Sequence, residues 1–337
     1  MTFEPFIARP PAALRDVTPV TAPRSFEGFG ELTPFLEDEA VTDLFVNGGG
    51  AVWVDRGNGA SAHPLPELDD ERLRELAVRL VALGGRHLDE ASPCVDVRLL
   101  DGIRVHAVLA PVSVSGTLLS IRVPRGRALG LDELEADGFL GDTRAETLRA
   151  LVSRRANLLV TGAGGVGKTT FLGALLGEAA PHERIVIIED VAELRPRHPH
   201  CVSLETRQAN LEGAGALGLD RLLREALRMR PDRLVLGECR GAEIRELLAA
   251  LNTGHDGGAG TLHANSLDDV PARLEALGSL AGLPPEAIAR QAVSAIDIVL
   301  HLERTKRGRG LRAVGALEID GSGRLRAREV GADALAA

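Results

Sequence analysis

The sequence predicts an α/β fold: a parallel sheet covered by helices on both faces in the C-terminal half, with a smaller α+β domain ahead of it. Three observations carry this. Leu158-Leu159-Val160, Arg184 to Ile188 and Leu234-Val235-Leu236 are short apolar strands separated by helical patterns, as expected of strands buried on both faces. The first of them runs into Gly162-Ala163-Gly164-Gly165-Val166-Gly167-Lys168-Thr169, followed by the helical run Phe171 to Leu176. Nearer the N-terminus, apolar runs broken at Asn47-Gly48, Asp101-Gly102 and Ser115-Gly116 read as antiparallel strands.

At 337 residues the chain suits two domains, and 45% hydrophobic with 26% charged residues is an ordinary globular balance. A net charge of −9 provides no field that would draw the whole protein onto nucleic acid or anionic lipid. Lysine occurs only at Lys168 and Lys306, so nearly all the positive charge is arginine. Cys94, Cys201 and Cys239 are scattered, with neither metal-ligand nor disulfide spacing, which fits a reducing cytosol. No apolar run approaches the ~18 residues of a membrane span, and the first residues lack the pattern of an export signal.

Taken in order, residues 1–25 hold five prolines and read as a flexible arm. The N-terminal α+β domain is expected over 26–125. It opens with a hairpin whose strands flank Asn47-Gly48-Gly49-Gly50. A helix follows, with Leu73, Leu76, Ala77 and Leu80 at helical spacing, acidic residues Asp69 to Glu71 at its start and Gly84-Gly85 at its end. Strands are expected at Val95 to Leu99, Arg104 to Leu109 and Leu118 to Val123. Residues 126–142, rich in glycine and charge, read as a linker, and the second domain as 143–337, starting with a helix over Thr143 to Val152. Within it, a helix ends at Arg230-Pro231-Asp232, another spans Ile244 to Leu251, and Thr253 to Asn265 reads as a mobile polar loop.

The glycine-rich segment has the form G-x-x-x-x-G-K-T with the required strand before and helix after. Glycines at 162, 164, 165 and 167 let the backbone curl so that its N–H groups, that of Val166 included, converge on phosphate oxygens at a helix N-terminus. Lys168 would bridge the β- and γ-phosphates of ATP, and Thr169, with Thr170 beside it, would meet the nucleotide and its Mg²⁺. Glu189, Asp190 and Glu193 follow an apolar strand, where carboxylates face the ligand crevice of an open α/β sheet. They would hold the metal shell, with Glu189 as a ligand, or orient water; the other reading is an acidic capping turn. Glu238, after Leu234-Val235-Leu236-Gly237, fits the acid that polarises an attacking water. His263 is the preferred γ-phosphate contact in the polar segment. Arg98, Arg104 and Arg122 stand beside N-terminal strands, as surface residues or as forks reaching a triphosphate held by the other domain.

These residues resemble the secretion-system ATPases, most closely the CpaF-like tight-adherence branch related to type IV secretion and pilus motors. The blocks are FVNG (45–48), DGIRVHA (101–107), SIRV (120–123), LETR (204–207), ALRMRPDR (226–233) and TGHDGGAGTLHAN (253–265). The resemblance implies a RecA-like P-loop NTPase core with the smaller N-terminal domain, assembled as a homohexamer that hydrolyses ATP to drive pilus assembly or export. It implies an acidic box at Glu189 and Glu193, a second nucleotide motif at Glu238, a histidine box at His255 and His263, and γ-phosphate contacts from Arg104 and Arg122. Arg207, Arg228 and Arg240 fall in family blocks without an assigned role. The implied partner is an inner-membrane platform protein, the implied place the cytoplasmic face of the membrane, and direct nucleic-acid contact is not expected. Two rivals are a conjugation-type nucleic-acid translocase and an ATP-gated assembly scaffold. Family members often carry a longer helical extension before FVNG, and valine is commoner where Cys239 stands here.

Overall fold

The computed structural model describes residues 26, 28–57, 59–99, 102–123, 128–207, 215–305 and 308–331. The proline-rich arm expected over 1–25 lies outside them, as do Asp101 and residues 124–127 of the expected linker.

After a 3₁₀ turn at Gly30–Leu32 and the short α1 (Thr33–Leu36), β1 (Asp43–Asn47) and β2 (Gly50–Asp55) form the expected hairpin. The chain adds β3 (Ala60–Leu65), α2 (Asp70–Leu83), β4 (Cys94–Arg98), β5 (Arg104–Val108) and β6 (Leu118–Arg122). The sheet is antiparallel in the order β3-β2-β1-β6-β5-β4. Asp69 caps α2 by accepting from the Arg72 N–H at 2.9 Å, and Leu73, Leu76, Ala77 and Leu80 all turn into the core. There they meet Leu44, Val46, Val105 and Ile121 from the alternate positions of the strands. β3 was not foreseen: it is a sheet edge of mostly exposed residues, where Pro64 is tolerated.

The second half contains α3 (Leu131–Ala136), α4 (Ala145–Ser153), β7 (Leu158–Gly162), α5 (Lys168–Gly177), β8 (Ile185–Glu189), β9 (Cys201–Glu205) and α6 (Leu219–Ala226). It continues with β10 (Arg233–Cys239), α7 (Ile244–Leu251), β11 (Ala259–Leu262), α8 (Val270–Leu280), α9 (Pro285–Ala295), β12 (Ile298–Thr305), β13 (Gly308–Ile319) and β14 (Leu325–Glu329). The strand order is β14-β13-β12-β7-β11-β10-β8-β9, parallel from β12 to β9, with β13 and β14 as an antiparallel extension. β7 and β8 are buried at every residue, as their unbroken apolar runs require. One face packs on α3, α4 and α5 through Leu131, Leu148, Phe171 and Leu172, the other on α6 to α9 through Leu223, Leu248, Leu274 and Ile288. The α/β class with a RecA-like core is the architecture observed.

Two expectations are corrected. Thr253 to Asn265 is not one mobile loop, because Ala259–Leu262 forms the fully buried β11 in the middle of the sheet. Its glycines serve packing: a Cβ at Gly258 would stand 2.3 Å from Leu251 Cδ2, and one at Gly260 3.3 Å from Leu247 Cδ2. The 126–142 stretch is also not bare linker. It contains α3, whose Leu131 and Leu134 belong to the second core together with Leu140.

Candidate active site

In a parallel sheet every strand ends on the same edge, so the C-terminal ends of β7, β8, β10 and β11 bring residues 162–170, Glu189, Glu238 and His263 to one crevice. The glycine-rich turn leaves β7 under tight constraint. A Cβ on Gly162 would lie 2.4 Å from the Leu302 carbonyl oxygen on β12, and Gly165 and Gly167 have φ of 69° and 102°, a region that favours glycine. Gly164 and Gly165 face solvent, whereas the Val166 side chain is a core anchor, 2% exposed, so only its backbone can serve a ligand. Gly167 caps α5, Lys168 is that helix's first residue, Thr169 is half-buried and Thr170 exposed.

Lys168 is 7% exposed, and its Nζ donates to the carbonyls of Gly162 and Ala163 at 3.0 Å each. Burial lowers its pKa, Glu238 opposes that shift and Arg240 adds to it. A buried ammonium resting on two neutral carbonyls, beside an exposed turn at a helix N-terminus, fits a polyphosphate.

Glu189 closes β8 at 5% exposure and accepts from the N–H groups of Glu193 at 3.1 Å and Leu194 at 3.2 Å. Burial pushes its pKa up to about 7 against the pull of those N–H groups. Gly237 is required beside it, since a Cβ there would stand 2.4 Å from Glu189 Cγ. Glu238, on β10, lies 2.5 Å from His263 Nε2 through one oxygen and accepts from Arg240 Nε at 2.8 Å through the other. The His263 pKa is lowered, first by burial and then by Lys168, with Glu238 pulling the other way, which favours a neutral imidazole. Its ring also borders the turn, 3.6 Å from where a Gly164 Cβ would stand.

The N-terminal sheet supplies a second wall. Arg98, Arg104 and Arg122 are register partners across β4, β5 and β6. Arg98 pairs with Glu205, and Arg104 Nη1 lies 3.3 Å from Glu193 with Nη2 donating to the Val191 carbonyl at 3.5 Å. Arg104 Nε is buried without a hydrogen-bond partner among the described residues, an unused donor beside the acidic turn. Arg122 is exposed and stands opposite Asp43 and Arg104 in the ladder.

The two histidines of the 253–265 block do not meet. His255 precedes β11, at the far edge of the sheet, with Nδ1 3.2 Å from the Ala250 carbonyl. Cys239 is 2% exposed and burial pushes its thiol pKa up, so it acts as a small apolar residue. Of the three unassigned arginines, Arg240 belongs to the crevice, 3.8 Å from Asp190 besides its bond to Glu238. Arg228 pairs with Glu225 on an exposed surface, and Arg207 forms an isolated bridge with Leu217. Sequence reasoning missed the Arg240–Glu238 pair and Glu205. The ALRMRPDR and LETR blocks flag their neighbourhoods, but pairing across strands has no local signal.

Fold and site together define a P-loop ATPase with a RecA-like core. The chain belongs to the type II/IV secretion system protein family, whose profile matches residues 26–327. A conjugal-transfer-named protein of Mycobacterium tuberculosis (strain H37Rv) is 47% identical over 306 residues, 89% of this chain and 87% of that one. Type IV secretion system protein PtlH of Bordetella pertussis is 34% identical over 310 residues, 83% of this chain and 90% of PtlH. Conjugal transfer protein TrbB of Rhizobium radiobacter is 32% identical over 297 residues, 86% of this chain and 87% of TrbB. Among solved structures, the pilus retraction motor PilT with bound ADP superposes with a TM-score of 0.60 at 18% identity, covering 91% of this chain and 85% of PilT. The Legionella pneumophila ATPase DotB gives 0.55 at 18% identity, covering 88% and 78%; both likenesses speak for the fold. The protein is a secretion-system ATPase and hydrolyses ATP.

Proposed function

We propose that the chain is one subunit of a homohexameric ring motor, akin to the CpaF-like tight-adherence branch, that drives pilus assembly or export through a membrane platform. The observation that carries this is the joining of the N-terminal sheet to the nucleotide crevice, Arg104 to Glu193 and Arg98 to Glu205. A site walled by two domains lets the state of the nucleotide move residues 26–125 against residues 143–337, which is the step a motor needs. The domain limits belong to this proposal.

In this reading Lys168 and the turn from Gly162 to Gly167, with Thr170, bind the β- and γ-phosphates of ATP. Thr169 and Glu189 would hold Mg²⁺, which when bound supplies neutralisation of phosphate charge. That ion keeps several of its waters and takes few protein ligands, which one hydroxyl and one carboxylate would supply. Glu238 takes the proton of the attacking water, held toward the turn by His263 and Arg240. Arg104 exchanges Glu193 for the γ-phosphate, with Arg122 beside it, while Glu193 steadies Glu189 through its backbone N–H.

No helix among the described residues is long and apolar enough to cross a membrane. In this reading the ring attaches peripherally, through an inner-membrane platform protein on the cytoplasmic side. Mass photometry with Mg²⁺ and an ATP analogue tests the assembly: six-subunit particles are expected, and monomers that hydrolyse at the full rate would remove the ring. The conjugal-transfer names of two relatives favour one second reading, a motor acting on nucleic acid. With 3% aromatic residues and no tyrosine, the chain is poor in stacking platforms. Single-stranded DNA is therefore expected to leave turnover unchanged, and clear stimulation would favour the second reading.

A further inference from the structure

We propose that Thr261 and Glu243 are positioning residues for ATP hydrolysis, holding from either side a bulge in β10 that aims Glu238 at the nucleotide crevice. The inference rests on the reading of Glu238 as the base. Leu236 pairs with Gly260 and Cys239 with Leu262, so β10 runs one residue longer than β11 between the two pairs. An extra residue of this kind is a β-bulge, which breaks the two-residue alternation of a strand. The two cores of this domain record the break. Leu234 and Leu236 enter the core under α6 to α9 and Val235 the opposite one, yet Cys239, an odd number of residues from Leu236, returns to the first. Strict alternation would have carried Glu238 into that core behind Leu236. With the bulge, its carboxylate instead lies between His263 and Arg240.

Each flank of the bulge has its own tether. On β11 the buried Thr261 donates from Oγ1 to the Gly237 carbonyl at 2.6 Å, fixing the backbone just before Glu238. Gly237 is also the residue whose Cβ would meet Glu189, so the ends of β8 and β10 are closest at this point. On the other side the buried Glu243 accepts from the N–H groups of Arg240 at 2.6 Å and Gly241 at 2.8 Å. It thereby fixes the turn from which Arg240 Nε reaches back to Glu238 at 2.8 Å. A buried hydroxyl and a buried carboxylate cost desolvation that apolar residues in the same places would avoid, and here both are directed at the backbone flanking the base. Without Thr261 Oγ1 the bulge is free to relax, and without Glu243 the guanidinium is free to leave. Misplacing a reacting group by about 1 Å can cost up to about 10² in rate.

The test combines Thr261→Val and Glu243→Ala, alone and each in a Glu238→Gln background, with Thr261→Ser and Glu243→Gln as conservative replacements. Each is read for kcat, KM, ADP affinity and melting temperature. Thr261→Val keeps the shape of the side chain and removes the donor, so it carries the test even where Glu243→Ala folds poorly. Each disruptive single variant should lower kcat about tenfold while ADP affinity stays within about twofold. Thr261→Ser keeps the hydroxyl and Glu243→Gln an accepting oxygen, so both should recover most of the rate. In the Glu238→Gln background, where no base is left to aim, neither Thr261→Val nor Glu243→Ala should lower kcat further. Added losses in that background, conservative variants as slow as the disruptive ones, or losses that follow melting temperature and ADP affinity together would reduce the tethers to ordinary packing and overturn the proposal. Parental kcat in Thr261→Val, with Glu238→Gln slow, would overturn this inference alone. Parental kcat in Glu238→Gln would instead strike the reading of the base on which it rests.

Discussion

Replacing Glu189 by glutamine should stabilise the nucleotide-free protein and do so increasingly as pH rises. The carboxyl is 5% exposed and its pKa stands at about 7 against an ordinary 4.5. A carboxyl whose pKa is raised on folding binds its proton more tightly in the folded state. Its contribution to stability is thus greatest below pH 4.5, declines between 4.5 and 7, and levels off above that. The charged form costs the folded state about 1 kcal/mol at pH 5 and about 3 kcal/mol at pH 8. Glutamine keeps an oxygen for the Glu193 N–H at 3.1 Å and carries no charge at either pH. The gain in unfolding free energy should therefore be larger at pH 8 than at pH 5 by about 2 kcal/mol. Urea denaturation of parent and Glu189→Gln at both pH values, without nucleotide or Mg²⁺, gives this difference of differences, in which all other titrating groups cancel. An equal or smaller gain at pH 8 would refute the buried, proton-binding carboxylate. The same variant should hydrolyse ATP more slowly, so that stability and activity move in opposite directions.

Glu238→Gln should bind ATP while turnover falls by about 10² or more, since the amide keeps the shape but takes up no proton; near-normal single-turnover rates would remove Glu238 as the base. Arg104→Ala and Arg122→Ala should weaken an ATP analogue and slow hydrolysis by about 2 to 4 kcal/mol each while sparing ADP. Paired titrations check this, and equal losses for both nucleotides, or parental behaviour in both variants, would deny them a γ-phosphate contact.

The phosphate-binding turn was legible because its chemistry is contiguous: strand, glycines, lysine and helix occur within one short stretch. β7, β8 and β10 were legible because strands covered on both faces are built around continuous apolar runs. β11 was not, since Gly260 within it and Gly258 just before it, packed against Leu247 and Leu251, give the segment the composition of a loop. The helix at Leu131–Ala136 was hidden by its brevity, a single turn and a half whose two leucines show no periodicity. Edge strand β3 and the hairpin of β13 and β14 lack the continuous apolar signal because one side of each meets solvent. Within the site, Glu189, Glu238 and His263 could be picked out by their places after apolar runs. Their partners could not: Arg104 with Glu193 joins residues far apart in sequence, and Thr261 with Gly237 joins two strands whose adjacency only the fold decides.

Isothermal titration of ATP with Mg²⁺ into the parent and into Lys168→Ala tests the central claim most directly. Saturable binding to the parent that disappears in Lys168→Ala is the predicted result, since the ammonium now resting on the Gly162 and Ala163 carbonyls would no longer be there to meet phosphate oxygens. Unchanged affinity in a folded Lys168→Ala would mean that ATP binds elsewhere, and would contradict the account.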